Sequence, residues 1–347
     1  MDIKGVCYDV GRKYNDWFLT RQVFDPAATR RELRIIRDDL HCNAVRFQGT
    51  DIGRLMTAAA DALKLGGLQV WLSPELFGKS REATIAYLAR AAAAAEPLRG
   101  QFPGRLVFCV GTEASLFTRG IVPGRTTSQR IAHIRQAGLR SGRYAPQLQA
   151  FLAEASDRVR KVFHGPLTYA SLPFEVVDWG PFDVIGVDLY RNSRNEHRYA
   201  ELIRPYLGQG KPVVNAEFGH SSYRGDRPGL LELGEVETAS VLLHRIPLAG
   251  RLVRPRLGRG THVRDEEHQA RELTKTLGIL DAEGVDGAFV WTFADPWLTY
   301  ADPRHDLDMA ATSLVKTYAR GSGTTYPGLP WEPKPAFAAV ASFYAAR

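Results

Sequence analysis

Short, almost wholly apolar runs alternate along this chain with longer stretches in which apolar residues recur every three or four positions. The short runs are "IKGVCYD" (3–9), "NAVRF" (43–47), "LQVWLS" (68–73), "RLVFCVG" (105–111), "PLTYAS" (166–171), "FDVIGVDLY" (182–190), "KPVVNAE" (211–217) and "GAFVWTF" (287–293). Continuous apolar runs of this length predict strands buried on both faces, as in a parallel sheet, rather than the strict alternation of a half-solvated one. Between them, residues 29–40 carry Leu33, Ile36 and Leu40 at helical spacing. Residues 80–96 open on Ser80 as an N-cap and are rich in alanine, the best helix former. Residues 145–163 and 265–284 are further amphipathic helices, the second stopped by Gly284. Eight β/α units in series predict an α/β fold, a (β/α)8 TIM barrel forming a single domain over residues 1–347. The long connections, 114–145, 218–260 and 294–333, follow strands four, seven and eight, which puts them on the catalytic face of a barrel. A doubly wound open sheet is the competing architecture. It normally carries a glycine-rich phosphate turn after its first strand, and "YDVGRKYND" has no G-x-G-x-x-G.

Closure of a barrel gathers the carboxyl ends of all its strands around one mouth. The fourth strand ends "GTEASLF" and delivers Glu113; the seventh ends "AEFGHSSY" and delivers Glu217. Two acids facing each other across a pocket suit glycoside hydrolysis, one protonating the leaving oxygen and the other attacking the anomeric carbon. Retention requires them roughly 5–5.5 Å apart, with one protonated while the other is ionised. Other strand ends add candidates. Glu75 and Asp9 either bind substrate hydroxyls or cap turns, and Asp188 and Tyr190 close strand six, Tyr190 being placed to donate to Glu217. Trp291 either stacks on a sugar face or packs in the core; Asp295 binds polar substrate groups or forms the "ADP" turn. His220 is a substrate contact or an exposed loop residue.

These motifs resemble those of the large clan of retaining glycoside hydrolases built on the (β/α)8 barrel. "GTE" (111–113) is similar to the clan's strand-four acid/base motif and "KPVVNAEFG" to its strand-seven nucleophile motif. Arg46 in "NAVRF" matches its strand-two arginine, Tyr190 its strand-six aromatic, and Trp291 its strand-eight sugar-stacking position. The resemblance implies Glu113 as acid/base and Glu217 as nucleophile, with Arg46, Glu75, Thr112, Asp188, Tyr190, Trp291 and Asp295 in the substrate site. Thr112 departs from the pattern, since the clan usually places there an Asn that bonds the sugar 2-hydroxyl. Residues 303–318 resemble a segment of uncharacterised actinobacterial barrel proteins.

Composition narrows the alternatives. With 44% hydrophobic and 24% charged residues the chain reads as an ordinary soluble globular protein. No apolar run approaches the roughly 20 residues needed to span a bilayer, and "MDIKGVCYDV" enters a strand at once rather than a signal peptide. A cytoplasmic location and no membrane partner are therefore expected. Cys7, Cys42 and Cys109 form no C-x-x-C pair and read as small buried hydrophobes. The net charge of +7 favours anionic ligands in general. Its densest run, "GRLVRPRLGRGTHVR" (250–264), lacks the interleaved aromatics of a single-strand binder, so a loop is expected and no nucleic acid. Asp302, His305, Asp306 and Asp308 cluster in sequence but lack the glycine and terminal glutamate of a calcium loop, and no zinc spacing occurs. No metal or cofactor is expected, and a carbohydrate or other small-molecule substrate is. Other acid/base chemistry on the same scaffold (isomerase, cyclase, lyase or transglycosylase) and non-catalytic sugar binding remain the alternative functions.

Overall fold

Eight parallel strands close on themselves in sequence order in the computed structural model, which describes residues 1–15, 18–139, 141–224, 236–237, 240–241, 244, 252–258, 262–303 and 305–347. They are β1 (Ile3–Gly11), β2 (Ala44–Gly49), β3 (Gln69–Pro74), β4 (Leu106–Thr112), β5 (Leu167–Ser171), β6 (Val184–Val187), β7 (Val213–Phe218) and β8 (Gly287–Val290). Every residue of β2, "AVRFQG", is buried, although it includes an arginine and a glutamine. In a closed barrel alternate residues face the helices and the barrel axis. Val45 and Phe47 join the large core between strands and helices. Cys7, Ala44, Trp71, Val107, Val214 and Phe289, from six strands, pack together inside the barrel.

The connecting helices start where side chains satisfy their first amides. Asp25 caps α1 (Pro26–Asp38), Asp51 caps α2 (Ile52–Leu65), Ser80 caps α3 (Arg81–Gln101) and Asp265 caps α5 (Glu266–Ala282), each accepting a backbone N–H of the first turn. Helix α4 spans Ala145–Arg160, and α6, Pro335–Ala345, packs on α5. The sequence reading names neither α2 nor α6. Helix α6 is apolar on nearly every side, whereas α2 sets Arg54, Thr57, Asp61 and Lys64 along one face opposite Leu55, Ala58, Ala59, Ala62 and Leu63.

The expected alternation fails at one step. No helix joins β5 to β6, because Pro173, Gly180 and Pro181 break the connection 172–183 into turns. β6 is also shorter than its apolar run. Past Val187 the ladder is replaced by side chains: Leu189 N donates to Asn215 Oδ1 (3.2 Å), and Tyr199 Oη donates to Leu189 O (2.7 Å). Cys7, Cys42 and Cys109 are free and buried. No described helix is long and apolar enough to cross a membrane.

The connections after β7 and β8 are tied by a buried ion cluster. Arg264 donates to Asp306 (2.7 and 2.9 Å) and to Asp308 (3.0 Å), while Lys334 Nζ lies 3.0 Å from Asp308 Oδ2. Asp308 and Lys334 are almost fully enclosed. Removing one member of such a set strands the others without their counter-charge. Asp308→Ala is therefore expected to cost about 3–5 kcal/mol in urea unfolding; a cost under about 1 kcal/mol, the range of solvated pairs, would show that the cluster is wet.

Candidate active site

The mouth of the barrel is organised around a guanidinium that solvent does not reach. Arg46, on β2, is 0% exposed. Its Nη1 donates to the Ala216 carbonyl (2.7 Å) and, more weakly, to Glu217 Oε2 (3.5 Å), both on β7. Its Nη2 donates to Ser73 Oγ on β3 (3.1 Å) and to Thr112 Oγ1 on β4 (2.9 Å). Asp188, just past β6, lies 3.6 Å from Nη1 as an ion pair without a hydrogen bond. One side chain thus ties together the ends of the strands that carry both candidate acids.

Those two acids occupy opposite surroundings. The Glu217 carboxylate accepts from Tyr190 Oη (2.7 Å), from Gln48 Nε2 (3.1 Å) and from Arg46. The Glu113 carboxyl, 7% exposed, accepts no hydrogen bond among the described residues. Burial pushes it well above the usual carboxylate range, aided by the negative charges of Asp188, Glu217 and Glu175 and opposed by Arg12. Asp188 is raised in the same way, by burial and then by Glu217, with Arg46 opposing.

Glu113 also sits in a backbone conformation that its residue type disfavours. At φ 45° and ψ 47° it is left-handed, which costs a residue with a Cβ roughly 1–2 kcal/mol. The surroundings fix this turn from both sides. Glu113 N donates to Ala170 O (2.9 Å), and the Glu113 carbonyl accepts from Leu116 N (2.8 Å) and Phe117 N (3.1 Å). The next two amides are taken by side chains. Ala114 N donates to Tyr169 Oη (2.8 Å), and Ser115 N donates to Glu175 Oε1 (3.0 Å). Tyr169 Oη in turn donates to Glu175 Oε2 (2.7 Å). The helix-free β5–β6 connection supplies Glu175, so the irregularity in the barrel supports the turn that presents Glu113.

The remaining expected residues divide by exposure. Arg46 and Asp188 are enclosed at 0–1% exposure, Arg46 against Glu217 and Asp188 against Arg46. Both oxygens of Glu75 are already taken, by Arg12 Nε (2.6 Å) and Gln48 Nε2 (3.1 Å). Trp291 is 4% exposed, and the guanidinium of Arg12 lies against its indole, 4.3 Å from the ring centroid. The Trp291–Thr292 peptide is cis. Asp295 is buried and its carbonyl accepts from Thr317 Oγ1 (2.9 Å). Asp9 is buried, its Oδ1 accepting from Gly11 N (2.7 Å). His220 is half-buried against His268 (centroids 4.9 Å), and burial lowers its pKa. Asp306 and Asp308 face cations, as described, and His305 Nδ1 lies 2.9 Å from Pro255 O. Among the described residues no group of three or more His, Cys, Asp or Glu stands together to hold a metal ion. In the arginine-rich run, Arg251 and Arg259 lie outside the described residues, while Arg256 pairs with Glu237 and Arg254 approaches Asp302 at 3.8 Å.

Arg12, Gln48, Tyr169, Glu175 and Asn215 escape the sequence reading. For Gln48 a signal exists: it is two residues beyond Arg46, hence on the same face of β2. Glu175 has none, since it enters the site from a connection without periodicity.

No protein-family model matches the chain, and no curated protein matches its sequence. Solved structures do. A GH113 β-1,4-mannanase in complex aligns over 100% of both chains at 16% identity with a TM-score of 0.59. The GH113 β-mannanase AaManA from Alicyclobacillus acidocaldarius, in complex with ManMIm, aligns at 17% identity over 99% of this chain and 97% of its own, with a TM-score of 0.56. The fold is shared with glycoside hydrolases. A β-glucuronidase of an uncultured Clostridium sp. aligns over 100% of this chain and 51% of its own, at 14% identity and a TM-score of 0.55. What the glycoside hydrolases share with this chain is the barrel, which agrees with the fold its motifs imply.

Two expectations follow from Glu113. A carboxyl whose folded-state pKa is raised contributes stability below the ordinary carboxyl range and loses it as pH rises through the folded value. Glu113→Gln, which cannot ionise, should therefore melt a few degrees above the parent at pH 8, with the gap closing toward pH 4. A gap independent of pH would show that Glu113 is solvated. Tyr169→Phe leaves the Ala114 amide without its partner and should destabilise the fold by about 1–3 kcal/mol in denaturant unfolding.

Proposed function

We propose that the chain is a retaining glycoside hydrolase acting on a small glycoside or oligosaccharide, with Glu113 as acid/base and Glu217 as nucleophile. The observation that carries this reading is the contrast between two acids at the ends of β4 and β7. One is without donors and driven toward its protonated form; the other faces Tyr190, Gln48 and Arg46. A raised carboxyl fits the acid, and a carboxylate met by three donors fits the nucleophile.

In the first step Glu113 gives its proton to the glycosidic oxygen while a Glu217 oxygen attacks the anomeric carbon. The bond to the aglycone breaks and a glycosyl ester forms. Glu113, now a carboxylate, then takes a proton from water as the water oxygen attacks the same carbon and releases Glu217. Tyr190 and Arg46 steady the carboxylate as it leaves. The structural neighbours, a β-1,4-mannanase and a β-glucuronidase, suggest β-mannosides and β-glucuronides as first substrates.

Thr112 favours a second reading. Its hydroxyl accepts from Arg46 (2.9 Å) and lies 3.2 Å from Ser73 Oγ, so it is turned into the network beneath the site. A different grip on the sugar at this position fits transfer to an acceptor other than water, or an isomerisation or elimination by the same two acids.

A 2-deoxy-2-fluoro glycosyl fluoride is expected to label Glu217 covalently, as read by peptide mass spectrometry, and Glu217→Gln to lower kcat by about 10³-fold or more. Unchanged turnover in that variant ends the assignment. The alkaline limb of kcat/KM should lie above the ordinary carboxyl range, because activity persists until the raised Glu113 carboxyl loses its proton.

A further inference from the structure

Arg12, the first residue past β1, is 4% exposed. Its guanidinium carbon lies 4.3 Å from the Trp291 ring centroid, 5.0 Å from that of Tyr14 and 5.5 Å from that of Phe77. Nε donates to Glu75 Oε2 (2.6 Å), and Glu75 is held from its other oxygen by Gln48. Gln48 bridges this pair to Glu217, so Arg12 stands beside the carboxylates of the mouth.

Its outer nitrogens are the unusual feature. Nη1 and Nη2 donate to nothing among the described residues. Arg46 Nε and the Asp188 oxygens also lack partners, but they are sealed from solvent, whereas the Arg12 Nη atoms are not. Arg12 therefore presents a fixed, aromatic-walled fork of donors to whatever enters the site. A guanidinium fork matches the two oxygens of a carboxylate or phosphate, and poor screening among three rings strengthens its attraction for an anion. Burial raises the Glu75 carboxyl despite Arg12, which weakens the nearest counter-charge of the fork, while Glu217 and Asp9 act on it from further off.

We propose that Arg12 binds an anionic group, a carboxylate or phosphate, carried by the sugar, so that the substrates are acidic glycosides rather than neutral ones. The glycosidase reading supplies the reaction; the fork of Arg12 supplies the charge.

The test pairs aryl β-glucuronide, aryl 6-phospho-β-glucoside and aryl β-glucoside, all with one leaving group, together with the corresponding mannose series. In the parent protein kcat/KM for a uronide or a 6-phosphoglycoside should exceed that of its neutral counterpart, and the better of the two identifies the anion. Arg12→Gln should lower the acidic substrate by about 30-fold or more and the neutral one much less, with Arg12→Lys between. Because Arg12→Gln leaves Glu75 buried without its partner, the double variant Arg12→Gln/Glu75→Gln serves as the folded control. Calorimetry with glucuronic acid, glucose 6-phosphate and glucose on Glu217→Gln gives a readout independent of turnover. Preference for an acidic sugar that depends on Arg12, without turnover of any glycoside, would sustain the anion site and remove the glycosidase. Turnover of neutral glycosides equal to or above that of acidic ones, or an acidic-to-neutral ratio unmoved in Arg12→Gln, overturns the anion site and leaves the glycosidase. Binding of neither sugar class, with no turnover, removes both.

Discussion

The candidate site depends on one enclosed cation. Burying a guanidinium is costly unless its charge and its donors are met, and Arg46 meets this by drawing partners from other strands around the barrel: Ser73, Thr112, the Ala216 carbonyl, Glu217 and Asp188. These groups lie on or next to β3, β4, β6 and β7, so the requirement to satisfy Arg46 is also a requirement that those strand ends converge. The seventh-strand glutamate is positioned by the same contacts. Stability and site geometry are linked here through a single side chain that solvent does not reach.

Around that cation the two candidate acids are treated differently. Glu217 is surrounded by donors. Glu113 stands at a left-handed turn held by Tyr169, Glu175 and backbone amides, with its carboxyl given nothing to accept. The surrounding negative charge that raises Glu113 includes Asp188 and Glu175, which are themselves buried for structural reasons. The scaffold carboxylates therefore do two things. They pair with Arg46 or clamp a turn, and their charge adds to the burial that raises the Glu113 carboxyl.

The barrel was largely legible in the sequence because strands buried on both faces leave continuous apolar runs, and closure then dictates where their ends meet. That reasoning names Glu113 and Glu217 as the candidate acids, and the structure sets them at the ends of β4 and β7. The helix missing between β5 and β6 was foreshadowed by Pro173, Gly180 and Pro181, yet eightfold alternation suggested a regular unit there. Contacts made across the mouth left no trace in the pattern. Nothing about Trp291 in sequence says that Arg12, just past β1 and far from it in number, lies on its indole. Asp188 is named in the sequence for ending a strand, and that position does not reveal Arg46 as its neighbour 3.6 Å away. Strand-end position is set by period and length; which way a polar side chain turns there is set by its partners on other strands.

The central claim is that the fold keeps Glu113 protonated while it faces a second carboxylate. A carbon-13 NMR titration of protein labelled at the glutamate side-chain carboxyl, with Glu113→Gln assigning the signal, measures this directly. The account predicts a Glu113 signal that stays in its protonated position well above the ordinary carboxyl range. A Glu113 that titrates like a glutamate in a model peptide would contradict it.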